Sequence, residues 1–285
     1  MNGVWRKRGI QMADHVGGKQ TPGQTLRLTV LGCGGSIPIS GDRRKIFGGA
    51  TSCYMVQAGD DCVFLDAGTG LFSAPAVLPR PPLILVTHMH LDHVLGLGMY
   101  RRLLAEGEKT ILCLPAKNVR EARNMLDALF SPPFWPLSLL HYKGDLELAP
   151  PRFPMRHGAL RIDCMEGRHP GGCLVFRVSL GEKSLVYATD YEHDSFGFAM
   201  LEDFARGTDL LLYDGQYSPE NYETRRGFGH STGEKGVELM ERCGAKRLLL
   251  VHHDPGCTDQ DLLEREARIG RADVGFAREG EVIEL

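Results

Sequence analysis

The segment Thr87-His88-Met89-His90-Leu91-Asp92-His93 crowds three imidazoles and a carboxylate into one short stretch. In extended backbone His88, His90 and Asp92 point to one side and Met89 and Leu91 to the other, because successive strand side chains alternate. A helix starting near Asp92 swings His93 toward a neighbouring point. That geometry suits two metal ions side by side better than one. Neutral imidazoles and carboxylates without thiolates suit zinc, manganese or iron, and they leave coordination positions open for water and substrate. A chance His-x-His-x-Asp-His pattern is rare in a chain with 11 histidines, so the segment reads as a set of metal ligands.

Such ligands need rigid elements to hold them. Five apolar runs end in an acid or a histidine: Val63–Asp66, Leu83–His88, Ser184–Asp190, Leu210–Asp214 and Leu248–His252. In open α/β sheets, chemistry gathers at the carboxyl ends of strands. A lone acid after a strand is commonly a turn former. Five such ends predict one site assembled from segments distant in sequence.

Around these runs the chain alternates short apolar stretches with helical periodicity. Strands are expected at 26–31, 52–57, 62–65, 83–86, 110–114, 172–179, 184–188, 209–212 and 247–251. Helices are expected at 97–105, 119–130, 196–205, 232–243 and 259–269. Ser231 with Glu234 predicts a capping box, and Gly244 a helix stop. Residues 1–24 read as a loose polar leader, with Met12 an alternative start, and 25–285 as a single domain. The span 131–154 breaks the rhythm with six prolines interleaved with Phe134, Trp135 and Tyr142. Long irregular segments of this kind are binding loops or surface connections. Phe134 and Trp135 are therefore candidate substrate contacts.

Composition bounds the class. The 285 residues are 42% hydrophobic and 24% charged, the balance of an ordinary globular protein rather than a disordered or fibrous one. A net charge of −3 excludes a global cationic field for nucleic acid. No apolar run approaches the ~20 residues a membrane-spanning helix needs. Eight cysteines without any Cys-x-x-Cys spacing read as reduced thiols in a cytoplasmic protein.

His88-x-His90-x-Asp92-His93, preceded by Leu65-Asp66-Ala67-Gly68, resembles the metallo-β-lactamase superfamily of binuclear metal hydrolases. Arg168-His169-Pro170-Gly171-Gly172, Ala188-Thr189-Asp190 and Leu250-Val251-His252-His253 follow in the family's order. Gly229-His230-Ser231-Thr232 is similar to a motif of its phosphodiesterase branch, which includes ribonuclease Z and PhnP-like cyclic phosphodiesterases. The resemblance implies an α/β fold, an αββα sandwich of two mixed sheets flanked by helices. It implies two divalent ions, zinc before manganese or iron. His88, His90 and His169 would hold one, Asp92, His93 and His252 the other, with Asp190 bridging. The choice of His169 over His141, His157 or His193 rests on the family pattern, and His253 stays open as a substitute for His252.

Two adjacent cations can clamp a phosphodiester and activate a shared water, which predicts in-line attack by a bridging hydroxide. His230 is the candidate proton donor or phosphate-binding group, with a helix anchor as its bland reading. Asp214 either orients His230 or forms a turn, and Asp66 reads as support for the ligand loop. Arg225 and Arg226 could meet a phosphate, as could Arg43, Arg44 and Lys45, although charge runs usually face solvent. Gly32-x-Gly34-Gly35 fits a phosphate cradle or a tight turn. The expected partner is a small or cyclic phosphodiester, including a cyclic nucleotide. RNA is the weaker candidate, since no basic glycine- and proline-rich arm is present; a membrane is not expected, and a homodimer is compatible with the sequence. A ribonuclease Z-like activity and a mononuclear iron sulfur dioxygenase are the competing readings.

Overall fold

A computed structural model describes residues 24–285, so the expected leader falls almost wholly outside the described residues. Its first half holds strands β1 (Arg27–Gly32), β2 (Cys53–Ala58), β3 (Asp61–Leu65), β4 (Leu83–Leu85), β5 (Lys109–Cys113) and β6 (Asp145–Leu148). Its second half holds β7 (Met155–His157), β8 (Leu160–Glu166), β9 (Leu174–Leu180), β10 (Lys183–Ala188), β11 (Leu210–Asp214), β12 (Leu248–Val251), β13 (Val274–Phe276) and β14 (Val282–Glu284). The helices are α1 (Leu91–Val94), α2 (Arg101–Leu104), α3 (Val119–Leu129), α4 (Ser195–Phe204), α5 (Pro219–Arg225), α6 (Gly233–Cys243) and α7 (Asp259–Ile269).

The strands form two seven-stranded sheets, in the orders β14-β1-β2-β3-β4-β5-β6 and β13-β12-β11-β10-β9-β8-β7. Both are mixed. β3, β4, β5 and β6 run parallel in the first, and β10, β11, β12 and β13 in the second. The sequence pattern explains the layering. Runs such as Leu210-Leu211-Leu212-Tyr213 are apolar at every position because both faces of the strand are buried. Alternate residues then serve different cores: Val63, Leu65, Leu210, Leu212, Leu249 and Val251 meet between the sheets, together with Tyr54, Phe176 and Tyr187. Phe64, Ile84 and Leu112 turn outward against Leu126 of α3. Leu211, Tyr213 and Leu250 turn outward against α4, α6 and α7 through Leu201, Leu239 and Leu262. The result is helices, sheet, sheet and helices in four layers.

Three expectations are corrected. The span 131–154 is not wholly irregular, since β6 closes the edge of the first sheet within it. The helix expected at 97–105 is split into a 3-10 segment, Leu95–Met99, and α2, with Tyr100 extended between them. Ser231 does not cap α6: Thr232 does, accepting from the Lys235 N–H. The Ser231 hydroxyl instead meets Tyr213 Oη at 2.9 Å and His193 Nδ1 at 2.7 Å. A reciprocal capping box exists at α7, between Thr258 and Asp261.

Candidate metal centre

Every polar strand end named above falls on one rim of the sandwich. Asp66 follows β3, and His88 to His93 run from the end of β4 into α1. Asp190 follows β10, Asp214 ends β11, His252 follows β12, and His169 comes from the β8–β9 connection. Helix α1 begins at Leu91 with His90 still extended, so Asp92 and His93 project from its first turn.

Three groupings of ligand-type atoms lie close together: His88, His90, His169 and Asp190; Asp92, His93 and His252; and Asp190, Asp214, His230 and His252. Asp190 joins the first two. Its Oδ1 lies 3.6 Å from His88 Nε2 and 3.9 Å from His169 Nε2. Its Oδ2 lies 3.2 Å from His93 Nε2 and 3.3 Å from His252 Nε2. His90 Nδ1 is 3.2 Å from His169 Nε2. Asp92 Oδ2 is 3.0 Å from His252 Nε2 and 3.3 Å from His93 Nε2.

The imidazoles are oriented from behind. His93 Nδ1 meets Asp66 Oδ2 at 2.7 Å, His252 Nδ1 meets Gln216 Oε1 at 2.8 Å, and His169 Nδ1 meets the Gly229 carbonyl at 3.0 Å. All three partners are acceptors, so the proton is assigned to Nδ1 and the Nε2 lone pair faces the cluster. His88 Nδ1 contacts Thr87 Oγ1 at 3.0 Å, whose own hydroxyl proton goes to Asp66. Asp66 also accepts from the Thr87 N–H and from Tyr187 Oη, which explains a fully buried carboxylate.

A cation fits this arrangement on two grounds. His88 Nε2 and His93 Nε2 are buried without a hydrogen-bond partner, and orphaned buried nitrogens of this kind call for an ion or water. The field also favours positive charge. Burial would lower the His93 pKa, but Asp190, Asp66 and Asp92 hold it well above its usual value. Burial opposes His252 likewise, yet Asp190 and Asp92 raise it to about 9. His88, where burial and the neighbouring His93 act together, is pushed down to about 2, and burial lowers His169 as well.

Backbone conformation singles out the same place. Among the described residues, the non-glycine positions with positive φ are Ser36, Asp66, Asp190 and His252. Left-handed backbone is costly for such residues and concentrates where geometry serves a site. Glycines supply the close approaches. A Cβ on Gly35 would stand 2.4 Å from the His252 ring, and one on Gly229 2.0 Å from His169 Nδ1. The run from Gly32 is therefore not a phosphate cradle: Gly34 bridges Thr51 and His253, and the Ser36 N–H donates to Asp92 Oδ2 at 2.6 Å.

His230 sits beside the cluster, its ring stacked on His252 at 4.8 Å. Its Nδ1 meets Asp214 Oδ2 at 2.9 Å. Asp214 also accepts from the backbone N–H groups of Asp190, Gln216 and Ser231, so it ties together the neighbours of the cluster. His253 faces the other way, with Nε2 2.8 Å from the Ala277 carbonyl and its ring against Phe47. Arg225 pairs with Asp254 at 2.7 Å and lies over the Tyr217 ring, whose edge meets His230. Arg226 pairs with Glu223 and lines a polar cleft with His169, Glu192 and His193. Arg44 is buried and donates to the carbonyls of Asp254 and Cys257, a structural role. Trp135 does not line the cluster: it packs on Gly98 and Phe130, with Nε1 donating to Tyr142 Oη. Phe134 is exposed at the surface.

Gln216, Gly35, Ser36 and Thr87 also support the ligands, a task the sequence pattern does not mark. The one exception is Gln216, which lies two residues beyond the strand-end acid Asp214.

A family model described as beta-lactamase superfamily domain matches residues 62–253. The probable metallo-hydrolase YhfI of Bacillus subtilis is 26% identical over 270 residues, covering 91% of this chain and all of that protein. Its crystal structure superposes with a TM-score of 0.71 at 23% identity, over 92% of this chain and 100% of that one. A ribonuclease Z from Ignicoccus hospitalis is 24% identical, over 72% of this chain and 82% of its own length. The crystal structure of a diphosphatase from the PhnP family matches with a TM-score of 0.67 at 20% identity, over 92% of this chain and 97% of that one.

Proposed function

Because this chain belongs to the beta-lactamase superfamily and is a metallo-hydrolase by kinship, we propose that it is a binuclear phosphodiesterase acting on a small or cyclic phosphodiester. The observation that carries this reading is the division of Asp190, one oxygen toward His88 and His169 and the other toward His93 and His252. His88, His90 and His169 would hold one divalent ion, and Asp92, His93 and His252 the other. Such ions, when bound, supply Lewis acidity toward a phosphoryl oxygen and acidify water. Imidazole and carboxylate donors favour zinc, with manganese or iron compatible.

The chain's own residues supply the rest. Asp66 and Gln216 keep the Nε2 atoms of His93 and His252 aimed inward. Asp214 holds His230 at Nδ1, which leaves Nε2 to hold a proton for the departing alkoxide oxygen. Relatives named ribonuclease Z and diphosphatase act on phosphorus–oxygen bonds, which supports the same class of substrate here.

Bis-(p-nitrophenyl) phosphate and a panel of cyclic nucleotides test the reading alongside metal analysis. Turnover that requires metal and vanishes in His88→Ala and Asp190→Ala is expected. A fully loaded protein inert toward every diester, or one that consumes oxygen with a single iron, would overturn it. Precursor transfer RNA cleaved in preference to small diesters would move the assignment to the ribonuclease Z reading.

A further inference from the structure

A groove of about 630 Å³ opens beside His88, on the far side of the Gly167–Cys173 turn from the polar cleft at His169. Its walls come from both layers of the sandwich. Met125 comes from α3, Phe153 from the connection before β7, and Met165 and Leu174 from the facing ends of β8 and β9, with Met89 beside the ligand itself. Carbon and sulfur make up most of this surface, with Lys117, Glu121 and Glu166 also bordering it, and Met89, Met125, Phe153, Met165 and Leu174 are all only partly buried. Three half-covered methionines make an adaptable apolar lining, because thioether chains repack around varied shapes at low cost. The polar cleft across the turn carries Arg168, Glu192, His193 and Arg226 instead. The candidate metal centre thus stands between a mainly apolar groove and a charged cleft.

We propose that this groove binds an unbranched or weakly branched apolar substituent of the substrate, the group retained on phosphorus. This rests on the phosphodiesterase reading above and narrows its substrate class to amphiphilic diesters. Continuity carries the argument: the groove is lined by His88 and Met89, so a substituent on a phosphoryl group at the cluster can run past His88 toward Met89 and Met125. The size is adequate, since pockets of 300–1,000 Å³ hold whole small ligands. The leaving group departs on the His230 side.

The test uses the metal-loaded full chain and a series of n-alkyl p-nitrophenyl phosphates from methyl to octyl. In each, water adds its oxygen to phosphorus, the bond to the aryl oxygen breaks, and p-nitrophenolate leaves with the proton released to solvent. The value of kcat/KM is expected to rise about threefold per methylene until the groove is filled. Met125→Lys should flatten the series, with an unaltered circular dichroism spectrum and metal content showing that the variant is folded. A flat series in the unaltered protein overturns the proposal. Calorimetric titration with n-alkylphosphonates provides a readout independent of turnover, with affinity rising along the series and a negative heat-capacity change. Chain-length-dependent binding without hydrolysis of any ester would sustain the groove and refute the phosphodiesterase reading. Hydrolysis with neither rates nor affinities dependent on chain length would do the reverse.

Discussion

The ligand histidines owe their aim to residues that never touch a substrate. Asp66 holds His93 through a 2.7 Å contact, and neutralising it removes the charge that keeps the ring oriented. Asp66→Asn should weaken the second ion by about 10- to 100-fold, measured by competition with a chromogenic chelator; unchanged affinity would mean that His93 is aimed by packing alone. Gly35→Ala should displace His252, because the added Cβ has no room beside the ring. One ion per chain should then be lost with the first retained. His230→Ala tests the proton role separately. Turnover of an alkyl ester, which needs protonation of its leaving group, should fall by about 10²-fold or more, while p-nitrophenyl esters lose far less. Equal losses for both would make His230 a binding group. At this scale the sequence was informative wherever chemistry demands a rare residue type. The His-x-His-x-Asp-His segment, Asp190 and His252 are all conspicuous. Gln216, Gly35 and Ser36 were not, because their task depends on a left-handed turn and close approaches that appear only once the chain is folded.

Elements were legible in proportion to their burial. Strands buried on both faces, such as β3, β11 and β12, announced themselves as continuous apolar runs. The edge strands β6, β7 and β14 are short, half polar and flanked by prolines or charges, so nothing in them competes with a loop reading. β8 is seven residues long, and its Leu160-Arg161-Ile162-Asp163 alternation is a legible strand signal that the expected elements left out. Trp135 misled for a related reason: an aromatic in a proline-rich stretch fits a binding loop as well as it fits the outer core it occupies. Helix α6 gives the sharpest check of a corrected cap. Thr232→Ala should lower stability by about 1 kcal/mol in urea denaturation through loss of the cap. Leu212→Ala, in the layer between the sheets, should cost about 2–5 kcal/mol by opening a cavity. A cost below that of Thr232→Ala would contradict the burial of β11 on both faces.

At the scale of the molecule, the two sheets are held together at the site as well as through the core. Gly34 bridges Thr51 of the first half and His253 of the second, and Asp92 reaches His252 across the same junction. An ion bound there joins the halves and stabilises the folded chain by mass action. Chelation should therefore lower Tm, by an amount that grows with the free metal concentration of the reference sample. The topology also explains why residues so far apart in the sequence lie together. Parallel strands β3, β4, β10, β11 and β12 deliver their polar ends to one rim, so a rule about strand ends gathers residues from Asp66 to His252. Metal content after equilibration with zinc tests whether this rim holds a pair of cations shared by Asp190. Two ions per chain, falling to one in His252→Ala, is the predicted result; a single ion in the unaltered protein that His252→Ala leaves in place would contradict it.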